Sequence, residues 1–289
     1  MSIKKILVPL DGSNASYDVL DTALVVAKRF GAHIDALHVM QRPEDAAPFM
    51  FDRIPGKLRE TVAREVEKYE REEAAAVRQK FENFCERNNL EIRDSPAAQS
   101  GVTATWHEEF GRTSEVLVRC GRLADVIATA RPKMRKGAVR RSPIGENVEA
   151  VMLGSGRPVL IVPPKWKAKR VEHAAIGWNE SVEASRALAM TMPWLEQMST
   201  VTVIVSKKRK DGAERLSNYL ALHGVHAQVQ YLDGKGNSVG DSILRICSEG
   251  GVEFLVVGGF SHARARQLLF GGVTQHLLRF CDIITVMVH

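Results

Sequence analysis

The chain has 289 residues, of which 45% are hydrophobic and 26% charged, with a formal net charge of +6 at pH 7. That balance excludes a largely disordered chain, and the length accommodates two domains of about 140 residues, each able to bury its own core. Every apolar run stops well short of the roughly 20 residues that cross a bilayer. The opening MSIKKILVPLDGS also lacks the long apolar core of a signal peptide, so the expectation is a cytoplasmic protein with no membrane insertion.

In the first half, β-rich runs at Ile6 to Leu10, Ile34 to Met40, Ala104 to Phe110, Val126 to Ala130 and Pro158 to Val162 alternate with helical segments. The helices are expected near Ser16 to Phe30, Lys57 to Asn88, Thr113 to Cys120 and Gly145 to Leu153. The second half repeats the order, with strands near Ala174 to Trp178, Val201 to Ser206, Ala227 to Leu232, Phe254 to Gly258 and Ile283 to Val288. Its helices are expected near Val182 to Glu196, Ala213 to His223, Ser238 to Glu249 and Gly271 to Phe280. Strands that alternate with helices imply a parallel sheet, because parallel neighbours need crossover connections, and near-continuous apolar strands suit burial on both faces.

Local matches argue that one half duplicates the other. Leu10-Asp11-Gly12-Ser13 lies over Trp178-Asn179-Glu180-Ser181, and Asp125 to Ala130 lies over Glu253 to Gly258. The Pro163-Pro164 pair and the cationic stretch to Arg170 read as a linker, giving domains 1–165 and 170–289. The first domain alone inserts Gln41 to Gly56 before its long charged helix, as a lid, an oligomer contact or a surface loop. With the last strands of the two domains at or near their contact, fused copies would take the place of two subunits.

Cationic runs at Arg131 to Arg141, Lys165 to Arg170 and Lys207 to Lys210 either invite phosphate-bearing partners or are solvated loop charge. Only Trp166 interleaves an aromatic ring with them, so nucleic acid is not an expected partner. Cys85, Cys120, Cys247 and Cys281 form no CxxC pair and are expected as unpaired, mostly buried thiols. The nine histidines show no metal spacing, and no structural metal is expected.

Ligands of open α/β sheets sit beyond the carboxyl ends of the strands. There the first strand presents Asp11, an acceptor for a ribose or adenine group, although capping of the next helix by Ser13 or Ser16 explains the same residues. Asn179 takes the place of that carboxylate in the second half, keeping an acceptor and adding a donor. After the fourth strand of the second half come Gly258, Gly259, Ser261 and His262, then Gly271, Gly272, Val273 and Thr274. Glycines here let backbone approach a ligand, and the helix opening at Gly271 favours phosphate. Equally, Gly258 and Gly259 make a tight turn, and Gly271 and Gly272 pack a helix against the sheet.

A strand followed by Gly-x2-Gly-x9-Gly-Ser/Thr, together with the VPLDGS start, resembles the ATP-binding subset of the universal stress protein family, over nearly the whole chain and twice. The resemblance implies an α/β fold of two tandem Rossmann-like (adenine nucleotide alpha hydrolase-like) domains, each a five-stranded parallel sheet flanked by helices. It also implies ATP or AMP, with or without Mg2+, a homodimer formed through the last strand, and a role in stress adaptation. The motif positions fall on Gly258, Ser261, Gly271 and Gly272, so two of the four hold, and Thr274 is placed to supply the missing hydroxyl. Asn179 stands at the adenine-side acidic position, and Val205 closes the second strand where backbone meets adenine.

The first domain keeps Asp11 and matches Val39, but Ala130 replaces the first glycine and Glu146 stands at the Ser/Thr position. A carboxylate there suits the helix dipole and repels phosphate, although Arg131, Lys133, Arg135 and Lys136 would offset it. A nucleotide is therefore expected in the second domain. With no Gly-x-Ser-x-Gly elbow and no full Walker motif, catalysis is not expected beyond slow ATP hydrolysis, in which His262 is a candidate acid, base or phosphate contact. Gly234 to Ser238 reads as a turn capping a helix. The alternative is a nucleotide-free scaffold that acts by protein–protein interaction.

Overall fold

The computed structural model describes residues 2–46, 55–94, 101–132, 145–232, 238–260 and 272–289. The chain divides into two compact units, Ile3–Ala128 and Thr129–His289.

The first unit runs β1 (Lys5–Pro9), α1 (Asn14–Phe30), β2 (His33–Met40), α2 (Pro43–Ala46), α3 (Gly56–Arg87), β3 (Glu91–Ile92), β4 (Thr103–Phe110), α4 (Thr113–Gly121) and the start of β5 (Val126–Ala130). These strands are parallel, in the order β3-β4-β2-β1-β5. Ile6, Leu7 and Val8 are buried in succession on β1, as a strand covered on both faces requires. Helix α1 starts at Ser13, whose hydroxyl accepts from the Ser16 amide, and ends at Gly31 in the left-handed region (φ +63). Its stripe of Val19, Leu20, Ala23, Leu24 and Ala27 faces the core.

Helix α3 has 32 residues and buries only its second half, through Ala74, Val77, Phe81, Phe84 and Cys85. Its first half is held by polar contacts: the Gln41 amide donates to Glu70 Oε2 at 3.0 Å, and the Arg42 and Arg71 guanidinium groups lie 5.2 and 5.4 Å from the Phe110 ring centroid. Strand β3, absent from the expected elements, is two exposed residues paired with the start of β4.

The second unit runs α5 (Glu146–Gly154), β6 (Val159–Val162), β7 (His173–Trp178), α6 (Val182–Leu195), β8 (Thr200–Ser206), a 3-10 turn (Lys207–Arg209), α7 (Lys210–Leu222), β9 (Ala227–Leu232), α8 (Val239–Glu249), β10 (Phe254–Gly258), α9 (Gly272–Phe280) and β11 (Ile284–Val288). Strands β7 to β11 form a five-stranded parallel sheet in the order β9-β8-β7-β10-β11. Strand β6 adds to it antiparallel, with Val159 opposite Met287, Leu160 opposite Val286 and Ile161 opposite Thr285. This is the contact of last strands anticipated from sequence. It also explains why the compact units divide at residue 129 and not near the linker: β6, last strand of the first repeat, hydrogen-bonds to the last strand of the second.

Both repeats tie down the chain entering their first strand in the same way. Asp125 Oδ2 accepts from the amides of Lys4 and Lys5 at 2.7 and 3.0 Å, and the Asp125 amide donates to the Lys5 carbonyl at 2.9 Å. Glu253 Oε2 accepts from the Glu172 amide at 2.9 Å, and the Glu253 amide donates to the His173 carbonyl at 3.0 Å. Lys169 Nζ lies 2.5 Å from Glu253 Oε1, which commits one charge of the linker's cationic run. All four cysteines are free thiols, with only Cys120 incompletely buried, and burial pushes Cys85 and Cys247 up to about 12. Among the described residues no helix is long and apolar enough to cross a membrane.

His33, buried at the start of β2, sits between two hydroxyls: Nδ1 is 2.8 Å from Thr103 Oγ1 and Nε2 is 2.9 Å from Thr105 Oγ1. Thr105 donates its only proton to the Arg93 carbonyl at 3.0 Å, so it must accept from Nε2–H, while Nδ1 faces the Thr103 hydroxyl, which is able to donate to a neutral ring. Burial holds the His33 pKa below the ordinary histidine value; the Asp35 carboxylate opposes this, and Lys5 and Arg93 reinforce it. The unfolded chain then binds the proton more readily than the folded one, so stability is complete above the unfolded pKa of about 6.5 and falls as the pH drops toward the lower folded value. Urea unfolding from about pH 7.5 to about pH 5.5 should show wild-type protein losing stability more steeply than His33→Gln. Equal slopes would contradict a neutral, buried His33.

Candidate functional site

The first strand of each repeat runs out into a turn of the same build. Asp11 Oδ1 accepts from the Ser13 amide at 3.0 Å and its hydroxyl at 2.6 Å; Asn179 Oδ1 accepts from the Ser181 amide at 3.1 Å. Each serine then caps the following helix, Ser13 accepting from the Ser16 amide at 3.3 Å and Ser181 from the Ala184 amide at 3.1 Å. The residue between is left-handed in both, Gly12 at φ +78 and Glu180 at φ +59. Burial pushes the Asp11 pKa up, but the hydrogen bonds from Ser13 outweigh it and hold the carboxyl below its usual range. The capping explanation of Asp11 and Ser13 thus has a full set of partners.

In the first repeat α3 passes over this turn. A Cβ on Gly12 would lie 3.0 Å from Val77 Cγ2, and the Tyr17 hydroxyl donates to the Val77 carbonyl at 3.2 Å. Beneath it, His38 Nδ1 donates to the Leu10 carbonyl at 2.7 Å, and its ring stacks on Trp106 with centroids 6.0 Å apart. Sequence reading missed His38, because an isolated histidine in an apolar strand carries no local signal. In the second repeat Val205 is fully buried in β8, opposite Trp178 and Tyr231. The Glu180 carboxylate accepts from Arg209 Nη1 at 2.7 Å and Arg215 Nη2 at 2.8 Å.

On the phosphate side, the two glycine positions differ. A Cβ on Gly258 would sit 2.5 Å from the Ala184 amide nitrogen and 2.7 Å from the Glu183 carbonyl carbon, so this glycine lets α6 close onto the end of β10. Gly259 donates to the Val288 carbonyl at 2.7 Å, and its own carbonyl is 3.1 Å from His289 Nδ1. Phe260, at φ +56, donates its amide to Thr274 Oγ1 at 3.1 Å. Thr274, whose hydroxyl was a candidate ligand contact, is 7% exposed and ties Phe260, just after β10, to α9. Val273 beside it is half-buried.

Gly272 opens α9 with no atom of the described residues within 4 Å of the place a Cβ would take, and the first turn of α9 carries no acidic side chain. The matching helix of the first repeat is the reverse. Glu146 and Glu149 lie in the first turn of α5, and Gly145 (φ +62) rests on Pro132, whose Cγ is 2.5 Å from the place of a Cβ. Asn179 and Gly258 thus meet around the start of α6, and Thr274 joins them through Phe260. Ser261, His262 and Gly271 lie outside the described residues, as do Lys133, Arg135 and Lys136. Packing predicts opposite responses to one methyl group. Gly258→Ala should cost about 1–3 kcal/mol because α6 must move, whereas Gly272→Ala should stay within about 0.5 kcal/mol. Denaturant unfolding of both variants measures this, and equal costs would contradict the assignment.

Universal stress proteins share this arrangement of strands and helices. A universal stress protein from Archaeoglobus fulgidus DSM 4304 superposes with a TM-score of 0.70 at 16% identity, over 98% of this chain and 97% of that one. A protein of unknown function from Pseudomonas aeruginosa PAO1 superposes with a TM-score of 0.55 at 12% identity, over 99% and 92%. At these identities the likeness is one of fold, and it extends through both repeats. No curated protein sequence matches the chain. The Universal stress protein family itself matches residues 2–163, more than half of the sequence, and the chain belongs to that family.

Proposed function

We propose that the chain is a cytoplasmic stress-response protein that binds an adenine nucleotide, ATP or AMP, in its second repeat. The phosphates would lie at the N-terminus of α9 and the base toward Asn179 and Val205. One contrast carries this reading: α9 begins at an exposed glycine with no acid in its first turn, whereas α5 begins with Glu146 and Glu149. The free amides of a helix N-terminus attract an anion, and a carboxylate in that first turn both satisfies them and repels phosphate. The first repeat is accordingly read as closed to nucleotide.

A second reading is a nucleotide-free scaffold acting as a homodimer or through other protein partners. It is favoured by the Thr274 hydroxyl, already engaged with the Phe260 amide, and by Gly258, already filled by α6. Calorimetric titration separates the two readings. Mg2+-supplemented ATP, and AMP separately, should bind wild-type protein at one per chain. Gly272→Glu, which copies Glu146 into the second repeat, should weaken binding by about tenfold or more at an unchanged melting temperature. No heat of binding to wild-type protein at millimolar nucleotide would decide for the scaffold.

A further inference from the structure

Glu180 keeps a side chain where the backbone favours glycine. Its φ of +59 is left-handed, and the matching residue of the first repeat, Gly12, has φ +78. The carboxylate is held by Arg209 at 2.7 Å and Arg215 at 2.8 Å, and these hydrogen bonds keep its pKa below the usual carboxylate range. Room for it comes from Gly212, where a Cβ would collide with Glu180 Oε1. Glu180 follows β7 and Arg209 follows β8, two adjacent parallel strands whose ends are in register at Trp178 and Val205. The ion pair therefore spans the gap between neighbouring carboxyl ends, next to Asn179 and Val205.

We infer that the Glu180–Arg209–Arg215 contact is a gate on the base side of the second-repeat crevice, closed in the free protein and displaced when an adenine base enters. The inference rests on the nucleotide reading above. The contact is suited to opening. Its side chains are 30%, 45% and 71% exposed for Glu180, Arg209 and Arg215, so water competes for it and it dissociates at low cost. The first repeat has no side chain at Gly12, and Val77 of α3 lies over the turn there.

The test is Glu180→Gly, which restores the residue that the backbone favours and should fold with an unchanged or higher melting temperature. Wild type and variant are titrated with ATP and, separately, with adenosine, which has no charge to respond to loss of a carboxylate. A gate predicts about fivefold tighter binding of both ligands by the variant, the order expected from removing two solvent-facing ion pairs. A gain for ATP alone would show that Glu180 acts only through its charge, and equal affinities of the two proteins for both ligands would show a structural brace. Either overturns the gate while leaving the nucleotide reading intact. No binding of either ligand to either protein overturns the nucleotide reading, and the gate falls with it.

Discussion

Parallel pairing is the constraint from which the rest follows. A strand parallel to its neighbour cannot be reached by a hairpin; the chain must return across a face of the sheet, here through helices. That return buries both faces of strands such as β1 and β8, and it brings every strand-to-helix turn to the same end of its sheet. The turns at Asp11, Asn179 and Gly258 are neighbours of helix starts for this reason, and so the chemistry of each repeat is decided by a few residues in its loops.

The two repeats share this frame and differ in their loops. The turn after the first strand has kept its hydrogen bonds almost unchanged, Asp11 to Ser13 in one repeat and Asn179 to Ser181 in the other. What differs is what stands over it: a glycine under Val77 of α3 in the first repeat, and a glutamate clasped by two arginines in the second. The last helices differ in the same spirit, with Glu146 at one start and Gly272 at the other. The first repeat places acidic groups in the first turn of its last helix, while the second has none there.

Most of the fold was legible because its signals are local. The β-rich runs of β1, β2, β4 to β6 and β7 to β11, and Ser13 at the start of α1, each announce an element within a few residues. Strand β3 was not, since two exposed residues have no period and pair only because β4 runs beside them. The division of the chain at residue 129 depends on β6 finding β11 more than 120 residues later in the sequence, which no local pattern encodes. The candidate residues were legible as positions at strand ends, and their packing partners were not. Gly258 and Thr274 were candidates for touching a ligand, and in the fold their partners are Ala184 and Phe260, contacts that exist only once α6 and the loop after β10 are in place. Likewise the run Lys207 to Lys210 reads from sequence as an invitation to phosphate or as solvated loop charge, whereas in the fold Arg209 pairs with Glu180 across the strand ends.

The proposed function gives the two repeats of one fold opposite binding states. Native mass spectrometry of the intact protein in increasing ATP counts occupied sites directly. The account predicts a single nucleotide adduct per chain that saturates without a second; two adducts of similar affinity, or none at millimolar ATP, would contradict it.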